Sequence, residues 1–314
     1  MTGDLLRLVL GMALLYGAAE ALVRGASRLA GSFGLAPLVV GLTVVAFGTS
    51  APEMVVSVVG AVEGRTGVAL GNVIGSNIFN IGLVLGLAAL VRPVSVDIRV
   101  VRREIPILLA ASVGMVVLMW DGELSRLDGA AATAAFVVYM GFVVRQATRE
   151  AEVGESDPVS VPAAPGSRKA SLLLVVAGLA GLVAGAHLLV QAAVAMARIL
   201  GISELVIGLT IVAAGTSLPE VATSTVASAR GEGDMAVGNV VGSNLFNLLA
   251  ILGVSALVRP IPVPAGGHVV ELLVMVGAVV LLLPLARSGA ELSRWEGAGL
   301  VLGFVAFVVF GLPG

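Results

Sequence analysis

Cysteine is absent from the sequence, so a disulfide framework, a thiolate metal site and a cysteine nucleophile are all excluded. Histidine occurs only at His187 and His268, too few for an imidazole-rich zinc or iron centre. Charge is scarce too: 12% of the 314 residues are Asp, Glu, Lys or Arg, where soluble domains carry about a quarter. The net charge of −2 leaves no basic field for nucleic acid. What fills the chain is apolar, with 58% hydrophobic residues and a mean hydropathy of +1.07. This composition belongs to the membrane class.

Apolar runs able to cross a hydrocarbon core of ~30 Å fall at about 5–30, 36–62, 67–91, 103–120, 127–146, 170–199, 202–229, 234–258, 268–286 and 295–312. They predict an all-α integral membrane protein with about ten transmembrane helices. The first run, with Arg7 and small residues near Ala18, loosely fits a signal peptide. It continues into an internal repeat, so it reads as the first span. One long polar stretch, ATREAEVGESDPVSVPAAPGSRK, has the composition of a flexible linker. It sets the expected organisation: an N-terminal five-helix repeat at 1–147, a linker at 148–169 and a C-terminal five-helix repeat at 170–314.

Arginines and lysines set the orientation. With the N-terminus outside, the inner loops collect most of the 18 cations, among them Arg92, Arg99, Arg102, Arg103, Arg145 and Arg149. Arg7, Arg65, Arg126, Arg198 and Arg259 stay outside. Both termini are then expected outside and the linker in the cytoplasm, in a plasma (inner) membrane.

The strongest signal is an internal repeat. Residues 41–86 (GLTVVAFGTSAPEMVVSVVGAVEGRTGVALGNVIGSNIFNIGLVLG) align without a gap to 208–253 (GLTIVAAGTSLPEVATSTVASARGEGDMAVGNVVGSNLFNLLAILG). About half of the positions are identical, and weaker similarity reaches back through 19–40 and 186–207. Five spans per half is odd, so the second half enters the membrane in the opposite sense. Two inverted-topology repeats are the architecture of secondary transporters, whose ion site lies at the repeat interface.

Each repeat carries GTSxPE inside an apolar span: Gly48 to Glu53, and Gly215 to Glu220. Ser-x-x-Glu also describes a helix capping box, which normally starts a helix at a wet surface. Here apolar residues flank it on both sides, so the carboxylate lies at membrane depth. An ionisable group there costs several kcal/mol and is functional by default. Pro52 and Pro219 lack an N–H, which frees the carbonyls of Gly48 and Gly215 and predicts discontinuous helices. Freed carbonyls, hydroxyls and a carboxylate form an all-oxygen set suited to hard cations such as Na⁺ and Ca²⁺.

The second element, GNVxGSNxFN, spaces Asn72, Ser76 and Asn80 four residues apart along one helix face, and Asn239, Ser243 and Asn247 repeat it. Interhelical hydrogen bonding beside close-packing glycines is the reading for Asn72, Asn77, Asn239 and Asn244. Ser76, Asn80, Ser243 and Asn247 are expected to line the ion cavity. Glu20 and His187, at corresponding positions, are read as helix-packing or entrance residues, and His268 as a solvated surface residue. Trp120 and Trp295 fit interfacial anchors.

The duplicated GTSxPE and GSNxFN motifs resemble the alpha-repeats of the cation/calcium antiporter superfamily, in its prokaryotic sodium/calcium exchanger branch. The resemblance implies that Glu53 and Glu220 ligate Ca²⁺ with the backbone oxygens of Thr49 and Thr216. It implies flanking Na⁺ sites at Ala46, Thr49, Ser50 and Ser243, and at Ala213, Thr216, Ser217 and Ser76. Asn247 stands where many members carry aspartate, so the central site has two carboxylates and two amides, Asn80 and Asn247, and no K⁺ requirement is expected.

The expected function is antiport of Na⁺ against Ca²⁺ by alternating access. A Ca²⁺/H⁺ antiporter using the same two glutamates is the alternative. A channel would not need inverted repeats, and no nucleophile or cofactor motif points to an enzyme. The expected partners are Ca²⁺, Na⁺ or H⁺ and the lipid bilayer, with no cofactor and no obligatory protein partner.

Overall fold

The computed structural model describes residues 2–153, 167–199, 213–263, 269–287 and 291–311. Helices dominate, because in lipid only a helix satisfies every backbone group within its own segment. In the first half, α1 (Thr2–Phe33) precedes α2 (Pro37–Thr49) and α3 (Ala51–Val62), which together form one span bent by 47°. Then come α4 (Thr66–Val91), α5 (Ile105–Leu118) and α6 (Arg126–Val153). The second half repeats the order with α7 (Arg168–Ile199), α8 (Ala213–Thr216), α9 (Leu218–Ala229), α10 (Gly233–Val258), α11 (Val269–Arg287) and α12 (Arg294–Ala306).

Among the described residues, α1, α4, α6, α7 and α10 are each long and apolar enough to cross a membrane, as is the bent pair α2–α3. The shorter helices α5, α11 and α12 occupy the remaining expected spans. The start of the seventh expected span, at 202–212, and His268 lie outside the described residues. One boundary differs from expectation: α6 runs on to Val153, six residues into the expected linker. The residues after Ala147 include Arg149, Glu150, Ala151 and Glu152, strong helix formers that carry the helix past its apolar segment.

Inversion of the halves is written in their connections. Four two-residue strands, β1 (Val94–Ser95), β2 (Glu123–Leu124), β3 (Ile261–Pro262) and β4 (Glu291–Leu292), form antiparallel pairs β1–β4 and β2–β3. In each pair, the loop after the third span of one half meets the loop before the fifth span of the other. Within a half those two loops are separated by one membrane crossing. They can pair across halves at both faces only if the halves have opposite orientation.

The fifth span of each half starts with a reciprocal cap. Ser293 accepts from the Glu296 N–H while the Glu296 carboxylate accepts from Ser293, and Ser125 and Asp128 do the same. The central helices α4 and α10 are enclosed by the others, whereas α1, α6 and α7 leave broad apolar faces for lipid. Close approach of α2 to α10 depends on glycine: a Cβ on Gly238 would lie 2.7 Å from the Leu38 carbonyl oxygen.

Candidate functional site

Both GTSxPE segments sit at helix breaks. Ser50 (φ −84°, ψ 8°) separates α2 from α3, and Ser217 (φ −92°, ψ 7°) separates α8 from α9. The proline that follows lacks the N–H needed to continue the preceding helix. Each break places its glutamate in the first turn of the next helix, where the exposed N–H groups favour a carboxylate. Glu53 and Glu220 are both buried, with 1% and 0% of their surface exposed.

The capping-box geometry does not form. Neither Ser50 nor Ser217 makes a side-chain cap bond to its own helix. Ser50 Oγ instead donates to Glu220 Oε1 at 2.8 Å, and Ser217 Oγ donates to Glu53 Oε1 at 2.8 Å. Each repeat's hydroxyl thus holds the other repeat's carboxylate. Ser76 Oγ lies 3.3 Å from Ser217 Oγ, which brings α4 to the same point.

The asparagines form a frame around this pair. Asn72 Nδ2 donates to Ser57 Oγ at 2.9 Å and to the Glu53 carbonyl at 3.3 Å. Its counterpart Asn239 donates to Ser224 Oγ at 2.9 Å and accepts from Thr49 Oγ1 at 3.2 Å. Between α4 and α10, Asn77 and Asn244 exchange side-chain amide to backbone carbonyl bonds at 3.4 and 3.3 Å. Their side-chain oxygens accept from Asn247 and Asn80, each at 3.0 Å.

That bonding leaves a defined remainder. Among the described residues, eight side-chain atoms are buried without a hydrogen-bond partner. Three are the hydroxyls of Thr223, Thr225 and Ser255, and five belong to the two motifs: Glu53 Oε2, Glu220 Oε2, Asn80 Oδ1, Asn247 Oδ1 and Ser243 Oγ. All five are oxygens, four of them acceptor-only. Buried acceptors without donors are costly, and a cation is the species that satisfies several at once. Among the described residues no group of three or more His, Cys, Asp or Glu side chains comes together as a metal site. The set is two carboxylates with neutral oxygens around them. Such a set suits a hard cation held for passage.

Ala46 is fully buried, and its carbonyl accepts from the Ser50 N–H and, at 3.4 Å, from Thr49 Oγ1. Thr216 ends α8 beside Ser217, and Ala213 begins that helix.

The comparisons with known proteins bear on this site. A family model described as sodium/calcium exchanger protein matches residues 4–145 and 170–312. The chain belongs to the sodium/calcium exchanger family. Inner membrane protein YrbG of Escherichia coli is 39% identical to this family member over 309 residues, covering 96% of the chain and 94% of the relative. Sodium/calcium exchanger MaX1 of Methanosarcina acetivorans is 33% identical over 344 residues, covering 98% of each. A structure of the sodium-calcium exchanger NCX_Mj soaked with Na⁺ and Ca²⁺ superposes with a TM-score of 0.85 at 33% identity, covering 99% of both chains. The exchanger family assignment makes this chain a multi-pass membrane antiporter.

Sequence reasoning passed over Ser57 and Ser224, which accept from the framing asparagines, whereas the interhelical bonding expected of Asn77 and Asn244 is present. The signal of the two serines was present, because each recurs at the same offset in the repeat. It also passed over Glu104, fully buried against Arg103 and the Tyr139 hydroxyl at 2.7 Å. Nothing local distinguishes that glutamate from its exposed neighbours.

Proposed function

We propose that the chain exchanges Na⁺ for Ca²⁺ across the inner membrane by alternating access, with Ca²⁺ held between Glu53 and Glu220. The observation that carries this reading is the group of unpartnered buried oxygens shared by both repeats. Two fixed carboxylates balance one Ca²⁺ or two Na⁺. The empty site would carry unpaired charge through low dielectric, so transport is coupled exchange. The amides of Asn80 and Asn247 and the backbone oxygens of Thr49 and Thr216 complete the central site. Ala46, Ser50 and Ser243, and Ala213, Ser217 and Ser76, serve flanking Na⁺ sites. Asn247 adds no third charge, so K⁺ is not required. The Arg and Lys distribution puts both termini outside and the linker in the cytoplasm.

The test is Ca²⁺ uptake into proteoliposomes under outward gradients of Na⁺, K⁺ or H⁺, with Glu53→Gln as control. Uptake driven by Na⁺ alone and lost in the variant is expected. Uptake driven only by H⁺ assigns the same glutamates to proton-coupled exchange, and uptake requiring K⁺ contradicts the role given to Asn247.

A further inference from the structure

Over 19–86 and 186–253 the two repeats are related by an offset of 167 residues (208 − 41), which becomes 168 by the fifth span (292 − 124), so each contact in one half has a defined counterpart in the other. Most contacts obey this symmetry. Ser50–Glu220 matches Ser217–Glu53, and β1–β4 matches β2–β3. The turn glycines Gly231 (φ 81°) and Gly64 (φ 80°) each lie under an arginine from the opposite half, Arg92 and Arg259 respectively.

The outer helix pair α1–α7 breaks the symmetry. Helix α1 packs on α9: Val226 and Ala227 are buried in one cluster with Ala19, Leu22, Val23 and Ala26. Beside that cluster Glu20 pairs with Arg230 and, at 2.5 Å, with Arg24, while Ser27 Oγ donates to Glu232 Oε1 at 2.8 Å. This clasp ties α1 to the α9–α10 turn. On the other face α7 makes no comparable contact with α3 among the described residues. Val59 is 46% exposed where its counterpart Val226 is 5% exposed. The counterparts of Glu20 and Arg230 are His187 and Glu63. His187 is exposed and bonded to Gln191 on its own helix, and Glu63 pairs with its neighbour Arg65.

We propose that His187 and Glu63 form a second clasp, between α7 and the α3–α4 turn, that closes this face when the Glu20–Arg230 clasp opens. The counterpart positions carry complementary partners with the roles exchanged: a carboxylate on α1 meets a cation on the turn, and an imidazole on α7 meets a carboxylate on the turn. In the opposite state α7 covers Val55 and Val59 as α1 now covers Ala222 and Val226. The four residues are positioning residues that select which face is closed, and they touch no ion at the central site. The inference rests on the alternating access proposed above, but not on which ions are exchanged.

The chain has no native cysteine, so paired cysteines can be introduced cleanly. Glu20→Cys with Arg230→Cys, and His187→Cys with Glu63→Cys, are treated with a bifunctional thiol reagent in reconstituted protein under Na⁺, Ca²⁺ or neither. Bridging is read by mass spectrometry, which does not depend on the transported ion. The expected result is that both pairs bridge under ion conditions that shift in opposite directions, and that a variant with all four cysteines never carries both bridges in one molecule. A second measurement needs no bridge: alkylation of Val59→Cys and of Val226→Cys changes reciprocally with the ion condition. A 187–63 pair that bridges in no condition while 20–230 does, both bridges in one molecule, or accessibilities of 59 and 226 that do not oppose each other would overturn the clasp. Failure of Na⁺-driven uptake alone would instead count against the ion assignment.

Discussion

A serine three residues ahead of a glutamate ordinarily spends its hydroxyl on the helix it starts. At Ser50 and Ser217 the hydroxyl crosses to the other repeat's carboxylate instead, at 2.8 Å in both cases. The gain is orientation: one oxygen of each glutamate is pinned, and the other is left buried without a hydrogen-bond partner, as are Asn80 Oδ1, Asn247 Oδ1 and Ser243 Oγ. A hydrogen bond to a charged group contributes about 1.5–3 kcal/mol, so Ser217→Ala should weaken Ca²⁺ binding by about tenfold or more. Equilibrium Ca²⁺ titration of the purified variant checks this, and unchanged affinity would remove Ser217 from the site. The carboxylates themselves were legible, because membrane depth makes any ionisable residue conspicuous. The serine's choice of partner was not, since Ser-x-x-Glu reads the same whether it caps locally or reaches across to a segment 170 residues away.

Helix ends and breaks show a similar division. The bend between α2 and α3 follows from Pro52, and most span positions follow from apolar runs, so these were readable. The overrun of α6 to Val153 was not, because hydropathy marks where lipid ends and helix propensity marks where the helix ends. Wide π turns at Asn80–Leu85 and Phe246–Ile251 were also invisible. They fall at or beside the Asn80 and Asn247 positions, as π turns often do at functional sites. Helix α10 must lie close to α2 for Thr49 to reach Asn239. A methyl group at Gly238 would press on the Leu38 carbonyl, a backbone atom that cannot rotate away. Gly238→Ala should therefore cost about 1–3 kcal/mol. Thermal unfolding in detergent should show a lowered Tm, and an unchanged Tm would mean that α2 and α10 yield easily.

At the scale of the whole molecule, two copies of one polar segment, inserted in opposite senses, bring together a buried set of hydroxyls and carboxylates that neither half contains alone. The repeat and its odd number of spans announced the inversion, and the cross-paired strands at both faces display it. What the sequence could not announce is which outer helix packs on the other repeat: Glu20 and His187 stand at corresponding positions, and only packing shows Val226 buried against α1 while Val59 stays exposed. The shared site is the central claim, and calorimetric Ca²⁺ titration of wild-type protein, Glu53→Gln and Glu220→Gln in parallel tests it most directly. One Ca²⁺ per chain is expected in the wild type, displaced by Na⁺, with binding lost in each variant alone. Retention of wild-type affinity in either variant, or two independent Ca²⁺ sites each lost with one glutamate, would contradict a single site shared by the two repeats.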